Sequence, residues 1–128
     1  MKPHVICHIM GSLDGRILSS NWGMGNLSPM FEGPASKIEA DAWLVGRRTM
    51  EEFSSHKPRR RLDGPFRVPK TDFVGIHAAK TYAVAIDPSG KCHWDSNMVS
   101  TEHVVEVLTE KVPAEYLAHL RSKNVSYV

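Results

Sequence analysis

The chain has 128 residues, a hydrophobic fraction of 41%, and 16 Lys+Arg against 14 Asp+Glu for a formal charge of +2. That length suits one domain, and the composition disfavours wholesale disorder. No apolar run approaches the roughly 18 residues of a spanning helix, the N-terminal segment lacks a signal-peptide pattern, and the near-balanced charge gives no global reason to expect nucleic acid.

The first predicted element is a buried strand over residues 3–10, where Val5, Ile6, Cys7, Ile9 and Met10 form an apolar run between Pro3 and Gly11. Cys7 is expected to behave as a small core residue. His4, Cys7 and His8, with the distant Cys92-His93 pair, are zinc-ligand types. Successive strand residues point to opposite faces, however, so no shared metal is expected from them. Gly11-Ser12-Leu13-Asp14-Gly15-Arg16 reads as a turn. The stretch after it, with Gly23, Gly25, Pro29, Gly33 and Pro34, reads as a long loop of the kind that carries function.

Ser36 and Glu39 have capping-box spacing and predict a short helix through about Asp41. Residues 42–45 predict a buried strand ended by Gly46, and Thr49 with Glu52 predicts a helix directly after it. Residues 54–80 read as a long irregular connection, with a basic run at 57–61 and a short strand near Phe73-Val74. Strands are predicted over 81–87 and 103–109. A helix opening on proline follows over 113–121, with Asn124 suited to its end, and a last strand covers 125–128. This alternation implies an α/β fold with a largely parallel sheet.

Open α/β sheets bind ligands at the carboxyl ends of their strands. Two such ends stand out. Gly46-Arg47-Arg48-Thr49 combines a glycine that permits close approach, two guanidinium groups and a helix N-terminus, which together suit an anion. The competing reading is a solvated turn with Thr49 as a cap. At the other end, Asp14 can accept a hydrogen bond or supply a proton near a reacting carbon, or serve only as an Asx turn residue. Trp22 can stack on a planar ring or cover a core edge. The basic run at 57–61 lacks interleaved aromatics, so it reads as a solvated loop or an aid to binding a phosphorylated small molecule rather than nucleic acid.

Ser12-Leu13-Asp14-Gly15-Arg16 after a first strand resembles the start of the reductase domain of the bacterial riboflavin-biosynthesis deaminase-reductase. Residues 40–51, ending in Val45-Gly46-Arg47-Arg48-Thr49-Met50-Glu51, resemble that family's second strand and are similar to the Gly-Arg-x-Thr-x-Glu segment of dihydrofolate reductase. Ile86-Asp87-Pro88-Ser89-Gly90 and the segments at 103–108 and 113–128 fit the same type. The resemblance implies a single dihydrofolate-reductase-like domain over 1–128, with a mostly parallel mixed sheet flanked by helices. It implies NADPH as hydride donor. Gly46, Arg47, Arg48 and Thr49 would hold the cofactor phosphates, Ser89 would lie near the adenosine 2′-phosphate, and Gly11 and Trp22 would be cofactor neighbours. Ser12 and Asp14 would be the catalytic-pocket residues, acting on a phosphorylated pyrimidine of the 5-amino-6-(5-phosphoribosylamino)uracil class. A pteridine reductase and a non-catalytic binding or assembly module on the same sheet are the alternative readings. A cytoplasmic homodimer, without metal, membrane or nucleic-acid partners, is expected. Family members continue into a later glycine-rich turn, so the domain is expected to be incomplete at its C-terminus.

Overall fold

In the computed structural model, which describes residues 2–55 and 64–128, the chain separates into two units, Met1–Glu39 and Ala40–Val128. The basic run at 57–61 lies outside the described residues.

In the first unit the expected strand over 3–10 is absent, and its apolar residues face solvent. Val5, Ile6 and Ile9 are 73%, 52% and 69% exposed, and Cys7 is exposed rather than a core residue. An apolar run becomes a strand only when a neighbour satisfies its backbone, and no ladder joins this segment among the described residues. The turn after it does form. Ser12 N–H donates to Arg16 O at 2.8 Å, Gly15 N–H donates to Ser12 O at 2.9 Å, and Gly15 takes φ 79°. The helix of this unit, α1 (Ser28–Ala35), lies before the position that the Ser36-Glu39 spacing indicates. Asn26 Oδ1 accepts the Ser28 N–H at 3.0 Å and Pro29 seeds the first turn. Ser36 is therefore a terminator: its hydroxyl donates back to Gly33 O at 2.9 Å instead of capping a new helix.

The second unit is built on a five-stranded sheet. β1 (Ala42–Gly46) pairs in parallel with β2 (Tyr82–Ile86), which pairs in parallel with β4 (Glu102–Val107). The far edge of β4 is shared. β3 (Met98–Val99) pairs antiparallel with its first half, and β5 (Ser126–Tyr127) pairs in parallel with its second. The sheet is thus mixed and mainly parallel, as the alternation of strand and helix predicts. The strand expected near Phe73-Val74 shrinks to a single bridge, Phe73 to Tyr127. β3 has no forecast in the sequence reading: its two-residue turn, Ser100-Thr101, relies on Ser100 at φ 53° where glycine or asparagine is the usual signal.

Helix α2 (Arg47–Met50) follows β1 as expected but has one turn only. Gly46 is its N-cap, so the Thr49-Glu52 capping box does not form and Thr49 sits inside the helix. Helix α3 (Ala114–Ser122) starts after Pro113 and ends in a Schellman motif. Asn124 takes φ 58°, its N–H donates to Arg121 O at 3.1 Å, and Val125 N–H donates to Leu120 O at 3.0 Å. The buried face of the helix presents Tyr116, Leu117 and Leu120 to the core. On the sheet, Ala83 and Ala85 of β2 stand beside Val104 and Glu106 of β4, all fully buried. Two alanines in the central strand leave room for the large rings of Trp94 and Tyr116 in the same core.

Candidate functional site

The first unit gathers three of its four expected site residues. Gly11, Ser12 and Trp22 line a cleft of about 400 Å³ together with Met10, Met24, Leu27 and Met30. Its walls are apolar and polarisable, the surroundings that a planar heterocycle favours. The indole Nε1–H of Trp22 is buried without a hydrogen-bond partner among the described residues. Asp14 stands apart from this lining. Its carboxylate receives the Ser12 hydroxyl and pairs with Arg16 at 2.9 Å, on side chains that are largely exposed. These contacts fix the 12–16 turn.

In the second unit the expected residues sit at the carboxyl ends of adjacent parallel strands. Gly46 is in register with Ile86, so Arg47-Arg48-Thr49 and Pro88-Ser89 leave the sheet at the same edge. Arg47 is committed to Glu51, one helical turn on. Arg48 and Thr49 are exposed, and Arg48 has no ion pair among the described residues. Ser89 is exposed in the turn after β2. With a single turn in α2, the guanidinium of Arg48 rather than a helix dipole is the main anion-binding element here. A guanidinium and two hydroxyls are groups of the kind that bind anions. A polar cleft of about 370 Å³ opens nearby in sequence, lined by Glu51, Glu52, Ser54, Ser55, Lys91 and His93.

Beneath the same strand ends lies a cluster that the sequence reading did not single out. Asp87, Cys92 and Glu106 are buried, and one donor atom from each lies within 4.8 Å of the others. Asp87 follows β2 directly. Its Oδ2 accepts the Lys91 and Cys92 amide N–H groups at 2.5 and 2.7 Å, while its Oδ1 has no partner among the described residues. Glu106 receives the Trp94 indole N–H at 2.6 Å and the Tyr116 hydroxyl at 2.8 Å. Burial pushes the Glu106 carboxyl up to about 8, against the opposing effect of those two donors. Burial, then the charge of Glu106, also raises the Cys92 thiol and the Tyr116 phenol well above their ordinary values. The sequence carries one signal: Glu106 stands between Val105 and Val107 in a strand-forming run.

A second buried polar group lies at the amino end of β4. The His103 ring stacks on His77 at 3.9 Å, and its Nε2 shares a 2.7 Å hydrogen bond with Ser126 Oγ. Burial, reinforced by His77, lowers His103 to about 4. Among the described residues, no helix is long and apolar enough to cross a membrane. No protein-family model, curated protein or solved structure matches the chain.

Proposed function

We propose that the chain is an NADPH-dependent reductase of the riboflavin-biosynthesis type, on a dihydrofolate-reductase-like fold, acting on a phosphorylated pyrimidine or related heterocycle. The observation that carries this reading is the apolar cleft lined by Gly11, Ser12 and Trp22 with three methionines. It would hold a flat ring by stacking and dispersion, with the free indole N–H of Trp22 as a donor. The cofactor supplies the hydride when bound. The chain's part is orientation: Ser12 beside the ring, and Asp14 holding the turn that carries Ser12. Arg48, Thr49 and Ser89 would take the cofactor phosphates.

Titration with NADPH, followed by cofactor fluorescence, tests the reading directly. Saturable binding is expected, and Arg48→Ala should weaken NADPH by about 10- to 100-fold through loss of charge-assisted hydrogen bonds. NADH should be affected less if Arg48 reads the 2′-phosphate. Absence of saturable binding by the intact chain would sink the proposal. Asp14→Asn should lower turnover more than cofactor affinity; a loss confined to thermal stability would leave Asp14 as a turn residue alone.

A non-catalytic assembly module is the second reading, and one feature favours it. Among the described residues β1 ends the sheet, its residues Ala42–Gly46 carry no charge, and Leu44 is 62% exposed. An uncharged edge of this kind invites pairing with another strand. Sedimentation over a range of concentrations checks for the homodimer this would produce.

A further inference from the structure

Every ionisable group in the Asp87 cluster is an acid. Neither carboxylate has an ion pair among the described residues. Buried carboxyl and thiol groups without a counter-charge are costly to ionise. The unpartnered Asp87 Oδ1, on a side chain with 0% exposure, adds an unmet need at the same place.

We propose that Asp87, Cys92 and Glu106 form a buried three-ligand site for a divalent cation of intermediate softness, with Zn²⁺ as the chemical match. The donor set is two carboxylate oxygens and one thiolate sulfur, which Zn²⁺ accepts and Mg²⁺ or Ca²⁺ does not favour. Tetrahedral Zn²⁺, with bonds of about 2.0–2.3 Å, holds its donors about 3.3–3.8 Å apart. Donors already within 4.8 Å of one another reach this by side-chain shifts of about 1 Å.

The surroundings are those of a held ligand set. The Lys91 and Cys92 amides fix the Asp87 carboxylate. Trp94 and Tyr116 orient Glu106 from outside, in the manner of outer-shell partners. The ligands come from the end of β2, the 87–92 turn and β4, so a cation would tie that turn to the centre of the sheet. Binding displaces the thiol proton of Cys92 and, near neutral pH, the carboxyl proton of Glu106. Affinity therefore rises with pH. This site is independent of any nucleotide binding.

The test uses the full chain, stripped with EDTA and then titrated with Co²⁺. One Co²⁺ per chain is expected, with a near-ultraviolet sulfur-to-cobalt charge-transfer band that Zn²⁺ displaces. Cys92→Ser should abolish the band, and Cys7→Ser should keep it. Should Cys92→Ser fail to fold, Asp87→Asn serves in its place and should weaken Co²⁺ at least tenfold. The proposal is overturned if the folded chain gives no charge-transfer band. A band that survives Cys92→Ser or disappears with Cys7→Ser overturns it equally, as does unchanged affinity in Asp87→Asn.

Discussion

Gly75→Ala is expected to destabilise the second unit by about 3 kcal/mol, more than alanine at any other described glycine. A Cβ at Gly75 would stand 2.0 Å from Asn124 O and 2.7 Å from Asn124 C, both backbone atoms. Asn124 cannot retreat cheaply, because it is the left-handed residue of the Schellman motif that ends α3. Nor can the 73–76 segment. Gly75 N–H donates to Ser126 Oγ at 2.9 Å, Ile76 N–H donates to Asn124 Oδ1 at 3.3 Å, and Phe73 exchanges two backbone hydrogen bonds with Tyr127 at 2.9 Å. Relief of the clash therefore means losing part of this seam. Gly90→Ala should be costly in a softer way, since its Cβ meets the Tyr116 ring at 2.6 Å and Gly90 takes φ 62°. Gly25 has open space and serves as the control, expected within about 0.5 kcal/mol of the parent. Urea denaturation midpoints with an unchanged slope measure all three. A Gly75→Ala midpoint equal to the control would mean that the close approach to Asn124 is not a real constraint.

The parts of this architecture legible in the sequence are those that short-range chemistry dictates. Residues 81–87 and 103–109 announce strands through runs rich in β-branched and apolar residues. Pro113 and Asn124 mark the two ends of α3, because a fixed φ starts a helix and a left-handed residue ends one. What escaped depends on partners distant in the chain. The run at 3–10 has strand composition but no ladder, and composition cannot supply a neighbour. Ser36 has a hydroxyl usable at either end of a helix, so the Ser36-Glu39 spacing is ambiguous until Pro29 and Asn26 are seen to start α1 earlier. The same holds for the candidate sites. Gly11, Ser12 and Trp22 meet in one cleft, whereas Asp14 faces Arg16 and solvent. In the sequence Cys92 stands beside His93, and only the folding of the 87–92 turn brings it to Asp87 and Glu106.

Stability in EDTA should form a plateau between about pH 4.5 and 6.5 and fall on both sides, because two buried groups titrate in opposite senses. His103 is lowered from 6.5 to about 4 by burial and by the stacked His77. Below pH 6.5 the unfolded chain takes up a proton that the folded chain refuses, so stability drops as pH falls and the loss is complete near pH 4. The full difference is about 3 kcal/mol. Glu106 is raised from 4.5 to about 8, chiefly by burial. Above pH 4.5 the unfolded chain releases a proton that the folded chain keeps, so this group costs stability as pH rises towards 8. Between pH 4.5 and 6.5 the two slopes cancel; from 6.5 to 8 Glu106 acts alone, and the loss there is about 2 kcal/mol. Glu106→Gln removes the acid while keeping an acceptor for Trp94 and Tyr116, so it should flatten the alkaline limb and replace the plateau with an acid limb that extends up to about pH 6.5. His103→Gln should do the reverse. Superimposable profiles for the parent and Glu106→Gln from pH 6.5 to 8 would show that Glu106 is ionised in both folded and unfolded chains. Without EDTA, Zn²⁺ in excess should lift that same limb, since the carboxylate that burial disfavours is the form a cation takes.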